Sequence, residues 1–531
     1  MNIKWPKFPF FGSILYNITT YLDFSQKVTH NHFSELESYI AVDKQFGWPN
    51  TRKIFQTIPH FKLFTYRTVN SIDKYQRDIC YSSKIKVRFF TIPFSPSTRV
   101  VALNISNMGF EGTIPLQLGN LSFLVTLDMS NNSFHGYLPE GMSHWRRLSL
   151  MALSNNNLAG EIPSWLGVLD RLQYLSLRNN SFVGHLPTNI CDNLPNLKEL
   201  DMSLNQLSGE ILSGLANHSR LESLSLSFNW FNGSMPKELG SLKMLEVLDL
   251  GYNLVEGPIP NEMFNISTLR VFDLSDNHLS GILPSNMCHG LHNLEDISLA
   301  VNDFSGVIPA SISNCSKLAI ISLGDNKFSG RIPNSIGNLR HLEFMIIWVA
   351  SNPLNGILPR SIGNLSISVE WLDLANCGLK GNIPNSIGNL SNLRYLNPRS
   401  NSLTGSIPTT IWGLQKLIGL GLHNNSLSGS LSGCFNNLTS LRYLDIAFNR
   451  LTSTLPMSLW DHKDLVVVNL SSNFLRGPLA PEMGELKFLT TLDLSNNQFS
   501  GKISSTIWSL ESLDYLSLAN NSLQGSIPDN L

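Results

Sequence analysis

From Val100 to its last residue the sequence repeats itself about every 24 residues, and this period constrains the fold more than any other feature. One unit reads Leu245-Glu-Val-Leu-Asp-Leu-Gly-Tyr-Asn253-Leu-Val-Glu-Gly257-Pro-Ile-Pro260, and another Leu489-Thr-Thr-Leu-Asp-Leu-Ser-Asn-Asn497-Gln-Phe-Ser-Gly501. About eighteen such units follow one another. A unit this short cannot bury its own apolar face, so the units must stack and share one continuous core.

Each position has a physical task. Leu-x-x-Leu-x-Leu alternates as a short strand with its leucines turned inward, and stacked strands form one parallel sheet. The Asn that follows (Asn132, Asn156, Asn180, Asn205, Asn229, Asn253, Asn277, Asn302, Asn326) stands where the chain turns, and its amide can satisfy loop backbone groups in an asparagine ladder. Gly136, Gly160, Gly184, Gly233 and Gly257 suit a tight bend, and Ile-Pro then carries the chain to the far side.

Gly-x-Ile-Pro steps followed by Gly-Asn-Leu recur, as in Gly112-Thr-Ile-Pro115 with Gly119-Asn-Leu121 and Gly330-Arg-Ile-Pro333 with Gly337-Asn-Leu339. On these motifs residues 99–531 resemble the plant-specific leucine-rich repeat. They are similar to the ectodomains of plant receptor-like kinases and receptor-like proteins, especially the immune receptors for flagellin and elongation-factor peptides. The resemblance implies an α/β repeat solenoid: a superhelix with a parallel β-sheet on its concave face and short 3-10 or irregular segments on its convex face. It also implies a peptide or protein ligand, a co-receptor with a leucine-rich-repeat ectodomain, and a cell-surface or extracellular location. Being shared by many receptors, the motif names no particular ligand.

Two domains are expected, a non-repeat segment 1–99 and the repeat domain 100–531. The first lacks the paired-cysteine cap usual in such receptors and is assigned no fold; a mis-joined exon or intron read-through stands beside a genuine domain as its explanation. The repeats stop at Ile527-Pro-Asp-Asn-Leu531 without a polar cap, which reads as a truncated receptor whose relatives often carry a kinase. Local distortion is expected at Pro398, which occupies a core-leucine position, and before Phe344, where about two residues are extra.

Hydrophobic residues at 42% and charged residues at 15% describe a chain that buries apolar surface throughout. Residues 1–99 carry fourteen lysines and arginines against six acidic residues, but without the clustered basic face that nucleic acid requires. No run reaches the roughly 18 apolar residues of a membrane span; the longest candidate, 342–350, is interrupted by Glu343. The basic start is followed by an apolar stretch that is short and broken by Pro9, so it does not read as a signal peptide.

The six cysteines, Cys80, Cys191, Cys288, Cys315, Cys377 and Cys434, show no metal-ligand spacing, and neither metal nor cofactor is expected. Cys191 and Cys288 stand four repeats apart, roughly 19 Å, and are expected as free thiols. Cys288 and Cys315 lie in adjacent repeats, and their pairing stays open. Cys377 takes a ladder position, as a buried structural residue.

Asn-x-Ser/Thr sequons favour a secretory route, with glycosylation candidates at Asn104, Asn120, Asn217, Asn232, Asn265, Asn314, Asn364, Asn389, Asn437 and Asn469. Those at Asn131, Asn179, Asn424 and Asn520 adjoin ladder positions and are expected to be hindered. His462-Lys-Asp464-Leu-Val-Val-Val-Asn469 imitates a kinase catalytic loop, but Leu465, Val468 and Leu470 are in phase as strand residues and no glycine-rich loop accompanies them. No catalysis is expected.

Strand residues between the core leucines face outward and are free for contact. An acidic group comprises Asp249, Asp273, Asp276, Asp296 and Asp325; an aromatic group comprises Trp348, Trp371, Tyr395, Tyr443 and Phe448, beside Arg399 and His423. Together they suit an extended peptide with basic residues followed by apolar ones. The leading function is ligand recognition in defence or developmental signalling. A secreted inhibitor of cell-wall-degrading enzymes, built on a shorter capped array of the same repeat, and a non-functional receptor gene fragment are the alternatives.

Overall fold

The computed structural model describes residues 100–339, 345–365, 367–431 and 435–528. Segment 1–99 with Cys80, the extra residues before Phe344, Cys434 and residues 529–531 lie outside the described residues.

Each Leu-x-x-Leu-x-Leu forms a short strand. In Val247–Asp249 the central Leu248 is buried and its neighbours are half-buried. Eighteen such strands, from Ala102–Asn104 to Tyr515–Ser517, pair in parallel, each with the next. The count equals the number of repeats read from the sequence, because each repeat supplies one strand.

The ladder forms as expected and supplies the lateral bonding at the turn. Asn253 Nδ2 donates to the Leu250 carbonyl at 3.0 Å and to that of Leu226, one repeat back, at 3.1 Å. Its Oδ1 accepts the Phe231 N–H at 3.0 Å. The same bonds recur through Asn326 and continue at Asn352, Asn401, Asn425, Asn449, Asn473, Asn497 and Asn521. Buried amides thereby satisfy backbone groups that no sheet reaches.

The residue before each ladder Asn turns the corner in the left-handed region, as at Asn131 (φ 56°), Asn155 (φ 57°) and Asn179 (φ 50°). Asn tolerates this conformation. Leu204, Phe228, Tyr252 and Val301 adopt it too, with φ between 53° and 56°.

A second set of strands follows the corner: a ten-stranded parallel sheet from Glu111–Thr113 to Lys327–Ser329 and a seven-stranded one from Lys380–Asn382 to Ser522–Leu523. Gly160, on this sheet with φ 90°, lets the chain pass beneath a neighbour, since a Cβ there would stand 2.1 Å from the Tyr137 ring. Past the Pro step most repeats make one short 3-10 turn, such as Lys237–Ser241 after Pro236; Thr188–Asn193 is α-helical instead. The core runs unbroken between strands and turns, from Ile114 to Leu510.

The interruption between the two outer sheets has an identifiable cause. By the rule of the ladder, the Leu354 N–H would be accepted by an asparagine at position 377. That residue is Cys377, and Leu354 N–H turns back to the Asn352 carbonyl at 2.8 Å. Pro353 contributes no N–H of its own. Among the described residues an isolated bridge, Ile357 to Lys380, is the one sheet pairing that spans the gap. Just before it the concave sheet carries a register shift between Met345 and Ile346. Pro398 is a milder fault: it is buried, and the strand Tyr395–Asn397 pairs with its successor over two residues instead of three.

Cys288 and Cys315 form a disulfide with a Cα–Cα distance of 5.2 Å, which resolves the pair left open and corrects the expectation of a free thiol at Cys288. Adjacent 3-10 turns bring the two together, within the geometric range for bridging. Cys191 and Cys377 are free and buried, and burial pushes both thiols up to about 12.

Candidate functional site

Three columns of side chains cross the concave sheet, set by their distance from the ladder Asn. Register sorts the expected contact residues among them. Trp371, Tyr395, Gly419 and Tyr443 occupy one row on consecutive strands. The Trp371 and Tyr395 rings pack with centroids 4.4 Å apart. Tyr395 then lies over Gly419, where a Cβ would stand 2.8 Å from its ring. Absence of a side chain at position 419 therefore lets the phenol lie low and bridge toward Tyr443. Burial, then the neighbouring Tyr443, pushes the Tyr395 hydroxyl up to about 12, so it is a neutral donor.

Beside this row Arg399 faces Asp373 and Asp445; burial lowers its affinity for the proton and the two carboxylates raise it. His423 Nδ1 approaches Asp445 Oδ2 at 3.0 Å. Phe448 is exposed at the corner next to them. The result is a half-buried aromatic row edged by charged groups already held in place, suited to contact with a ligand.

Trp348 departs from the expected arrangement. It lies in the neighbouring column, in register with Asp373 rather than Trp371, and is 7% exposed. Its ring covers Gly324, where a Cβ would be 2.4 Å away, and packs with Ala300, Ala350 and Ala375. Small residues around it create a slot that the indole fills. Its role is in packing, and the slot was not legible in the sequence because Ala300, Gly324 and Ala375 lie on repeats other than that of Trp348.

The acidic group also divides. Asp249 and Asp273 are direct neighbours, Asp273 being buried with its Oδ1 accepting the Ser275 hydroxyl, whereas Asp296, also buried, is in register with Val271. Burial, then the adjacent Asp273, pushes the Asp249 carboxyl up to about 7, against hydrogen bonds from Ser227, Ser225 and the Gly251 amide. Asp276 and Asp325 stand at the left-handed corner, both raised by burial.

Sequence reasoning missed a further group at this corner. Phe228 and Tyr252 stack with centroids 4.1 Å apart and planes 8° from parallel. The available signal was a pair of aromatic residues on consecutive repeats immediately before the ladder Asn, where most other repeats place Asn, Ser or Asp.

Among the sequons, Asn120, Asn217, Asn265, Asn314, Asn364, Asn389 and Asn437 each end a 3-10 turn and are exposed. Asn232 is exposed on the outer sheet and Asn104 on the first strand. Asn469 is 3% exposed, its Oδ1 accepting the Ser471 N–H at 3.2 Å and hydroxyl at 2.8 Å. The same strand absorbs the kinase-like segment, with Leu465, Val468 and Leu470 buried in the core. No helix among the described residues is long and apolar enough to cross a membrane.

Fold and surface together define a repeat solenoid whose concave sheet presents side chains for recognition. A Leucine Rich Repeat family model matches residues 123–145, 171–193, 196–218, 220–242, 268–289, 317–339, 368–390, 440–461, 488–510 and 512–531. Among solved structures, the Arabidopsis receptor kinase HAESA, in complex with the peptide hormone IDA and the co-receptor SERK1, is 33% identical with a TM-score of 0.74; the match covers 81% of this chain and 71% of that one. PEPR1, in the structure of PEPR1-AtPEP1, is 33% identical with a TM-score of 0.75, covering 80% of this chain and 59% of that one. The ectodomain of GASSHO1/SCHENGEN3 from Arabidopsis thaliana, in complex with CASPARIAN STRIP INTEGRITY FACTOR 2, is 30% identical with a TM-score of 0.55, covering 81% and 60%. The chain thus spans less than two thirds of two of these three relatives. No curated protein matches it. The chain belongs to the family of plant leucine-rich-repeat receptor ectodomains.

Proposed function

We propose that this chain is the extracellular ligand-recognition domain of a plant receptor-like kinase or receptor-like protein, without catalysis of its own. It holds a peptide or protein ligand on the concave sheet and, once loaded, contacts a leucine-rich-repeat co-receptor at the cell surface, in defence or developmental signalling. The observation that carries this reading is the row Trp371, Tyr395 and Tyr443, aligned in register on the concave sheet. Aromatic residues flanked by held charges are the groups that dominate binding hot spots, each worth roughly 2 kcal/mol or more when truncated. The family supports the reading, since HAESA is solved with a peptide hormone and a co-receptor.

The test is calorimetric titration of the secreted chain with IDA and AtPEP1, followed by the Trp371→Ala, Tyr395→Ala double variant with its fold checked by circular dichroism. A tenfold or greater loss of affinity is expected for the peptide that binds. Unchanged affinity for a bound peptide in a folded double variant overturns the reading.

A further inference from the structure

The rim between the concave sheet and the outer sheet is turned by one left-handed residue per repeat. Over five consecutive repeats those residues are Leu204, Phe228, Tyr252, Asp276 and Val301. For an L-residue this conformation is disfavoured by roughly 1–2 kcal/mol, and bulky or β-branched side chains hold it least readily. Burial does not offset the strain: Phe228 and Tyr252 are half-buried and Val301 is 39% exposed. On the adjoining outer strands Trp230 is 60% and Leu254 46% exposed. Strained backbone together with unburied aromatic surface is a combination that packing alone does not select.

We propose that this rim is a second docking surface, which takes an extended segment of a partner protein carrying alternating basic and apolar side chains. It is separate from the concave row and does not depend on it. Adjacent strands lie about 4.8 Å apart, so the four steps from Leu204 to Val301 span roughly 19 Å. An extended chain of about six residues covers that length at ~3.3 Å per residue. The Phe228 and Tyr252 stack and the Trp230 indole supply the apolar ridge. Glu210 and Glu256 on the outer sheet and Asp276 on the rim, all exposed, supply the charge that selects a basic partner. Asn232 stands in register with both Glu210 and Leu254, so the surface requires that its sequon carry no glycan.

The experiment uses the full chain secreted from plant cells, with fluorescent (Lys-Leu)3 and (Glu-Leu)3 hexapeptides as probes. Phe228→Asn and Tyr252→Asn are combined, Asn being the residue that turns the same corner at Asn131, Asn155 and Asn179. The proposal expects the basic probe to bind wild type and the acidic one not to. The double variant should bind at least tenfold more weakly, with its urea midpoint unchanged or raised, and Trp371→Ala, Tyr395→Ala should leave probe binding intact. Absence of probe binding, equal binding of both probes, or a lowered midpoint with undiminished affinity would overturn it. So would loss of the probe on the concave variant alone, or a glycan found at Asn232.

Discussion

The thiol of Cys377 lies 3.2 Å from the carbonyl oxygen of Val349, in the place where every neighbouring repeat puts an asparagine amide. A thiol is one weak donor, whereas the amide offers two donors and an acceptor. Cys377→Asn should therefore restore an acceptor for the Leu354 N–H and stabilise the array by about 1 kcal/mol. Urea denaturation together with hydrogen exchange at the Leu354 amide measures this; a lower midpoint and unchanged exchange would refute it.

Asp249 supplies a pH dependence of defined sign. Its carboxyl, raised to about 7 in the fold, has an ordinary value near 3.9 when unfolded. The protonated group favours the fold below about pH 4, and this contribution is lost as pH rises toward 7. Asp249→Asn removes the loss, so the variant should gain stability over wild type between pH 4.5 and 7.5, on the order of 1 kcal/mol given the partly solvated site. Midpoints compared at the two pH values would show no such gain if the carboxylate were fully hydrated.

The Cys288 and Cys315 bridge closes a loop of 27 residues. Constraint of the unfolded chain by a loop of that size is worth about 3.5 kcal/mol. Replacing both cysteines by serine should lower stability by about that amount, seen as a fall in the urea midpoint. A double variant as stable as wild type would show that the neighbouring packing alone fixes these turns.

Glycan occupancy should follow accessibility. In material secreted from plant cells, enzymatic release followed by peptide mass spectrometry is expected to mark most of the seven sequons that end 3-10 turns. Asn469 should stay unmodified, its side chain being engaged with Ser471. Full occupancy at Asn469 with bare turn sequons would reverse the assignment.

Architecture was legible because it is written many times over: one Leu248-type core residue and one Asn253-type amide per repeat force the stacking, and eighteen copies average out local exceptions. The recognition surface was legible only in part. Strand alternation correctly turned Trp371 and Tyr395 outward, but it carries no information on how a side chain leans over the next repeat. That lean hid Trp348 over Gly324 and put Tyr395 flat on Gly419. Asp296 was grouped with Asp273 by chemistry, although it is two residues out of phase and faces Val271. Phe228 and Tyr252 escaped notice although Phe448, Asp276 and Asp325 at the same left-handed corner were singled out, because the period-two rule ends with the strand and gives no orientation beyond it.

Near Pro353 the two outer sheets fail to meet, and the register fault at Met345 and the missing amide at Cys377 fall in the same stretch. In a linear array, cohesion is a sum of nearest-neighbour terms, so three deficits at one junction weigh on the same bond. Drawn apart by its ends, the molecule should yield there as a zip yields at a bad tooth, in two bursts of unequal contour length instead of a single rip. Optical-trap traces with one cooperative rip would show the seam to be as strong as its neighbours. If the two bursts appear, the solenoid is mechanically a pair of blocks, and unravelling begun at one end stops before it reaches the other.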